Sequence, residues 1–219
     1  MSPIIYSPKK LKPRAAFDFY ETEPDFCVAA MGAMRDMGIP EPKKILDPGC
    51  GTGVWGWAAK QVWPKALVHG VELQAQSSFN RKNDGNQYQW GRYSKVHWGQ
   101  DYLTFNPKVR FDLVIGNPPY RLAEEFVRKS FRLVNPVTGY IVFLLRLAFL
   151  EGQKRADDLW RVIPPARVFV LPRRPSFGGY NGKTDATAYG LFVWDGGTEM
   201  FRRDNPTFTT LWLNWERSK

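Results

Sequence analysis

The run Asn117-Pro118-Pro119-Tyr120, placed directly after the apolar stretch Phe111-Asp112-Leu113-Val114-Ile115-Gly116, holds hydrogen-bond acceptors and an aromatic ring in consecutive positions. Its chemistry suits a planar amino or amide nitrogen. An adenine amino group is a poor nucleophile because its lone pair is delocalised into the ring, so a site that alkylates it must hold the nitrogen and draw on its hydrogens. Asn117 offers a side-chain carbonyl and Pro118 a backbone carbonyl without an N–H, while two successive prolines fix φ and stiffen the loop. Tyr120 adds an aromatic face on which a base can stack. Asn117, Pro118, Pro119 and Tyr120 are therefore the candidate catalytic residues.

Such a loop has to be presented at a strand end, and the upstream segments supply its partners. Lys43 to Asp47 reads as a short buried strand running into Pro48-Gly49-Cys50-Gly51-Thr52-Gly53, with a helix expected from Val54 to about Val62. Gly49, Gly51 and Gly53 let the backbone turn tightly and approach a ligand closely. Their spacing lacks the full Gly-x-Gly-x-x-Gly of a dinucleotide fingerprint, which disfavours a pyrophosphate cofactor. Val68 to Glu72 reads as a second strand ending in a carboxylate, where a nucleoside-binding fold puts the acceptor for ribose hydroxyls. Val96 to Asp101 reads as a third strand, also ending in an acid. Ligands in open parallel α/β sheets sit beyond the carboxyl ends of the strands, so Asp47, Glu72, Asp101 and Asn117 are expected on one rim.

The glycine turn resembles motif I, and Asn117-Pro118-Pro119-Tyr120 resembles motif IV, of the class I methyltransferases that use S-adenosylmethionine to methylate adenine amino groups. The resemblance implies a Rossmann-like α/β fold. It has a seven-stranded, mostly parallel sheet with an antiparallel strand 7 and helices on both faces. It also implies a cofactor site made by Asp47, Gly49, Gly51, Gly53, Glu72, Asp101 and Asn117, with Asp101 accepting from the cofactor's adenine amino group. The segment Phe17 to Pro24 loosely matches motif X, which closes over the methionine part of the cofactor, and adds Tyr20 and Thr22. A later stretch, Arg173-Arg174-Pro175-Ser176-Phe177 followed by Gly182-Lys183-Thr184-Asp185, resembles phage and prophage adenine methyltransferases. Its cations and aromatics suit phosphate contact and stacking, which makes Arg173, Arg174, Phe177 and Lys183 the expected substrate-binding residues. A phosphate-binding P-loop is rejected, because Gly182-Lys183-Thr184 would need a glycine where Phe177 stands.

Composition agrees with a nucleic-acid substrate. The chain has 219 residues and a formal net charge of +10, enough for one α/β domain and suited to a polyanionic partner. The expected organisation is a basic arm over residues 1–16 and a single methyltransferase domain over 17–219. Cys27 and Cys50 with two histidines provide neither a disulfide framework nor zinc ligands, so no metal is expected. Cys50 reads as a small packing residue inside the glycine turn. No run of about 18 apolar residues and no signal-peptide pattern is present, which fits a cytoplasmic protein of a bacterium or phage-infected cell.

The remaining chain predicts helices from Asp25 to Met37 and Leu122 to Val134, and a loop over Gln74 to Lys95. A central strand is expected over Thr138 to Leu147, a helix within Leu147 to Trp160, and final strands over Val168 to Pro172 and Ala188 to Trp194. Residues Thr207 to Trp215 form a possible edge strand. Only short segments, near Gly152 to Arg167 and after Gly196, are available to read bases, which implies slight sequence specificity or a single-stranded target.

The function expected is methyl transfer from S-adenosylmethionine to N6 of adenine in DNA, by a monomer or homodimer, without a covalent intermediate. Cytosine ring methylation is excluded, since neither cysteine follows a proline. RNA adenine and a release-factor glutamine amide are rival substrates that share the Asn-Pro-Pro-Tyr motif, and a non-catalytic nucleic-acid-binding relative is the alternative of another class.

Overall fold

A computed structural model describes residues 21–79, 90–177, 187–196 and 207–216. The basic arm, Tyr20 and Lys183 lie outside the described residues. Eight strands form one sheet in the order β3-β2-β1-β4-β5-β7-β6-β8. They are β1 Lys44–Pro48, β2 Leu67–Glu72, β3 Lys95–Trp98, β4 Leu113–Gly116, β5 Tyr140–Arg146, β6 Arg167–Val170, β7 Tyr189–Asp195 and β8 Thr209–Trp212. Strand β7 runs antiparallel to both β5 and β6, and the other pairings are parallel. The expected antiparallel seventh strand is therefore present. The sheet has eight strands rather than seven, because β8 adds to β6 at the edge.

The strand sequences are near-continuous apolar runs because both faces of the sheet are covered. Side chains alternate between two cores, as the two-residue period of a strand requires. Ile45, Leu113, Ile115, Val142 and Leu144 join a core under helices α1 (Pro24–Asp36) and α2 (Val54–Val62). Leu46, Val114, Phe143 and Leu145 join the opposite core under α3 (Ala123–Leu133). Helix α3 buries Ala123, Phe126, Val127, Ser130 and Leu133, a stripe at helical spacing. Helix α1 has Pro24 in its first turn and ends where Gly38 N–H and Ile39 N–H donate to Arg35 and Met34 carbonyls, with Gly38 at φ 84°. That is the left-handed stop that a glycine beyond the helix predicts.

The helix expected within Leu147 to Trp160 is broken into pieces. A 3₁₀ turn over Leu147–Leu150 gives way at Gly152, whose φ of 102° no continuous helix allows, to a short α turn Gln153–Arg155 and a π turn Ala156–Trp160.

One side chain locks α2 to the sheet. The Tyr93 ring fills space left by two glycines, Gly56 on α2 and Gly70 on β2, and its hydroxyl accepts from the Gly56 N–H at 3.0 Å. A Cβ at position 56 would stand 2.2 Å from the Tyr93 ring. Alanine is better than glycine inside a helix by roughly 1 kcal/mol, whereas overpacking costs about 1–3 kcal/mol. The clash should win. We expect Gly56→Ala to lower the urea midpoint. Gly32→Ala on α1, where an added Cβ meets nothing within 4 Å, should raise it slightly. Equal midpoints for the two variants would contradict the packing described.

Candidate active site

The turn after β1, the end of β2, the turn after β3 and the loop after β4 enclose a cavity at the carboxyl edge of the sheet. Its walls include Gly49, Gly51, Glu72, Asp101 and Asn117, and Glu21 and Thr22 from the segment before α1 close it. These residues meet because strand order reverses between β1 and β4, so the chains leaving those neighbours part. Gly49, Gly51 and Gly53 all have positive φ, between 52° and 90°, which lets the turn fold over the end of β2: Gly49 and Cys50 N–H both donate to the Val71 carbonyl.

Glu72 is 6% exposed and holds this turn from the side, its Oε2 accepting from Gly51 N–H and its Oε1 from Gln74 N–H, each at 2.9 Å. Each carboxylate oxygen has the capacity to accept a further hydrogen bond. Strand β3 stops at Trp98, so Asp101 stands in the turn beyond it rather than at a strand end; Gly99, at φ 65°, makes that turn. Asp101 is exposed, and its Oδ1 accepts from Leu103 N–H at 2.9 Å.

Asn117 is positioned through Thr22. Its Nδ2 donates to Thr22 Oγ1 at 3.1 Å, and Trp55 Nε1 donates to the same oxygen at 3.3 Å. Thr22 in turn forms an antiparallel bridge with Phe177, so the segment before α1 and the segment after β6 are joined over the site. Glu21 Oε1 accepts from the Thr52 hydroxyl at 2.7 Å.

Two expected cofactor residues are not cavity walls. Gly53 caps the start of α2, and Asp47 is fully buried within β1 beneath the turn. Asp47 Oδ2 accepts from the Tyr93 hydroxyl at 2.5 Å, while Oδ1 is buried without a hydrogen-bond partner among the described residues. Burial, with Glu72 nearby, raises its pKa to about 7, against the opposing pull of the Tyr93 hydrogen bond. Burial and the Asp47 charge push the Tyr93 hydroxyl well above the usual tyrosine range. Tyr93 has no periodic signal in its polar surroundings, and only the glycines it packs on betray it. Both cysteines are buried and burial pushes their thiols up, as packing residues require.

Tyr120 is not a wall of this cavity but lines an adjoining recess, with Arg121, Arg146, Phe149 and Arg155. The Arg146 guanidinium lies over the Tyr120 ring at 4.9 Å, and Tyr189 packs on that ring at 5.6 Å. Burial raises the Tyr120 hydroxyl well above the usual tyrosine range, against the opposing pull of the Arg146 charge. Phe177 packs edge-on against Tyr189 at 5.0 Å, so Tyr189 stands between the two rings expected to sandwich a base. Arg146 went unremarked in the sequence although it ends an otherwise apolar strand, the same signal that marked Glu72. Arg173 and Arg174 are both exposed; Arg173 also lies over the Trp215 ring at 5.3 Å, and its carbonyl accepts from that indole.

The Asp47 carboxyl is held at about 7 here and near 4 in an unfolded chain, so the native state binds its proton more tightly. Its stabilising contribution is full below about pH 4 and is lost as pH rises through about 7. Asp47→Asn keeps an acceptor for Tyr93 and cannot titrate. Melting temperatures across pH 5 to 8 should therefore move in favour of the variant as pH rises; parallel curves would refute the assignment.

Comparison with known proteins bears on the same region. Residues 29–135 match the family model of the methyltransferase small domain. The chain is 35% identical over 86 residues to the type II methyltransferase M.CvrRI of Paramecium bursaria Chlorella virus XZ-6E, covering 39% of this chain and 21% of that protein. It is 37% identical over 114 residues to the tRNA1(Val) (adenine(37)-N6)-methyltransferase of Pedobacter heparinus, covering 48% and 47%. The chain thus spans half or less of the length of these relatives. Among solved structures, the "putative RNA methyltransferase PH1948" of Pyrococcus horikoshii aligns with a TM-score of 0.62 at 19% identity, over 84% of this chain and 89% of that one. A type I restriction-modification methyltransferase subunit of Streptococcus thermophilus aligns at 0.53 and 16% identity, over 81% and 45%. Residues 29–135 are therefore similar to the methyltransferase small domain, and the sheet that carries them has the fold of solved methyltransferases.

Proposed function

We propose that this chain transfers a methyl group from S-adenosylmethionine to the N6 amino group of adenine in a nucleic acid. The carrying observation is that Asn117-Pro118-Pro119-Tyr120 forms a partition: Asn117 and Pro119 line the glycine-turn cavity, while Tyr120 lines the arginine recess. A donor in the first and a target base entering from the second would meet at Asn117.

The cavity suits the cofactor. Gly49 opens onto space in which a Cβ would meet nothing within 4 Å, and Glu72 and Asp101 offer acceptors to hydroxyl and amino groups. When bound, S-adenosylmethionine supplies an electrophilic methyl on a sulfonium. The protein's part is to orient the base and its nitrogen. Thr22 fixes the Asn117 amide through its N–H, and the carbonyl of that amide is the acceptor this reading assigns to a substrate amino hydrogen. The Pro118 carbonyl is the second acceptor, on a loop whose prolines allow little relaxation. Together they favour the nitrogen as it becomes pyramidal, and proximity supplies much of the rest. Pro119 stiffens the loop, and Tyr120 presents its ring to the base once Arg146 moves aside.

DNA and RNA both remain substrates in this reading. The Arg173 to Asp185 segment favours DNA by its resemblance to phage enzymes. Similarity to tRNA adenine-N6 methyltransferases over 114 residues favours RNA. The basic charge disfavours a protein glutamine.

The test is transfer of radiolabelled methyl to duplex DNA, single-stranded DNA, tRNA and release factor in parallel, with nucleoside analysis. N6-methyladenine is the expected product. Asn117→Ala should lower transfer by roughly 10²- to 10³-fold, the usual effect of losing one preorganised hydrogen-bonding group, while leaving nucleic-acid binding intact. An unchanged rate would remove Asn117 from the mechanism, and label in release factor alone would overturn the substrate.

A further inference from the structure

A short segment that is no part of the cavity wall, Trp90 to Tyr93, reaches the strand, the turn and the helix that build it. Tyr93 joins Asp47 in β1 to Gly56 in α2 through its hydroxyl. Between those two points, Trp90 Nε1 donates to the Gly51 carbonyl at 2.8 Å. The segment is closed on itself by Tyr93 N–H donating to the Trp90 carbonyl at 2.8 Å, and tied to β2 by Ser94 N–H donating to the Val68 carbonyl at 2.7 Å. The Trp90 ring stands edge-on to Trp98 at 4.8 Å.

Gly51 is therefore held at both ends, its N–H by Glu72 and its carbonyl by Trp90. Glycine puts few steric limits on the backbone beside it, so the orientation of the next peptide depends on what holds its carbonyl. The Gly51 carbonyl and the Thr52 N–H belong to one trans peptide and point in opposite directions. Gly51 and Thr52 are cavity walls and Trp90 is not, so a carbonyl drawn to Trp90 turns the Thr52 N–H to the cavity side. That N–H has no hydrogen-bond partner among the described residues. Trp160, Trp194 and Trp215 also donate to backbone carbonyls, of Leu150, Ile163 and Arg173, but none of those acceptors is a cavity wall.

We propose that Trp90 is a positioning residue for the cofactor: by holding the Gly51 carbonyl it aims the Thr52 N–H into the cavity, as a donor to an oxygen of bound S-adenosylmethionine. The inference rests on the cofactor site described above and deepens it. Glu21, Glu72 and Asp101 among the cavity walls can only accept hydrogen bonds when ionised, so an inward-facing donor complements them. Tyr93 anchors the segment to the fold, and Trp90 is the arm that reaches the turn.

The experiment compares wild type with Trp90→Phe, which keeps an aromatic ring beside Trp98 and removes the donor. Calorimetric titration with S-adenosylmethionine should show affinity lowered by roughly five- to tenfold, the effect of losing one hydrogen bond. Transfer assays should show a higher KM for the cofactor, with kcat and the KM for nucleic acid unchanged. The unfolding midpoint of the cofactor-free protein should fall far less than in Tyr93→Phe, which removes the anchor. In the wild type, the Thr52 amide proton should move downfield and exchange more slowly with solvent as S-adenosylmethionine is added, a measurement that needs no variant to fold. Wild-type affinity in Trp90→Phe, or a Thr52 amide that does not respond to bound cofactor, would overturn the role of Trp90 and leave the cofactor site standing. A wild-type protein that binds no S-adenosylmethionine would overturn the cofactor site, and the role of Trp90 with it.

Discussion

The reversal of strand order between β1 and β4 is the constraint from which the site follows. From β1 the sheet grows through β2 to β3, and from β4 it grows through β5, so the connections after these two neighbours leave for opposite faces. Helix α2 packs into the core shared with α1, and α3 into the other. A cleft must open between the two departing chains. The strands themselves stay close: a Cβ on Gly116, the residue before Asn117, would stand 3.0 Å from Asp47 Oδ1 and 3.5 Å from the Pro48 carbonyl. The small residue ahead of the loop after β4 and the buried acid ahead of the glycine turn are thus one packing arrangement.

Charge divides along the same partition. Glu21, Glu72 and Asp101 line the cavity on the Asn117 side, with Arg121 as the cation at its rim. Arginines line the recess on the Tyr120 side. A chain of net charge +10 therefore sets, among its described residues, a cavity lined by three carboxylates beside a recess lined by arginines. Asp47 sits just behind the acidic side. Its pKa near 7 keeps that buried position largely uncharged in mildly acidic solution, which limits repulsion with Glu72.

Much of this was legible in the sequence because it is written in local rules. Apolar runs of strand length, glycines where φ must be positive, and carboxylates at strand ends identified β1, β2, β4 and the turn between β1 and α2, and α2 begins and ends at the expected residues. What escaped depends on contacts distant in sequence. Asp47 reads as a ligand by its place in the motif, but its partner Tyr93 lies 46 residues away in a polar stretch without periodicity. The Tyr120 and Phe177 pairing assumed two open faces. Tyr189, a strand residue that reads only as core, fills the space between them. Helix continuity past Leu147 failed at Gly152, whose φ of 102° interrupts an otherwise helical composition.

The two sides of the partition also differ in how they are built, and the difference matches what each would receive. The cavity is set by backbone: Gly51 and Gln74 N–H groups are tied to a buried carboxylate, and Gly49 and Cys50 to the Val71 carbonyl. Such a wall has few rotamers to lose and fits a small ligand of fixed shape. The recess is set by long arginine side chains laid on aromatic rings, Arg146 on Tyr120 and Arg155 on Phe149. In the proposed reaction, rigidity lies where the methyl donor would be aimed, and compliance where the acceptor would be admitted. Asn117, anchored through Thr22 that also accepts from Trp55, lines the cavity three residues before Tyr120 enters the recess, and is the residue at which the two meet.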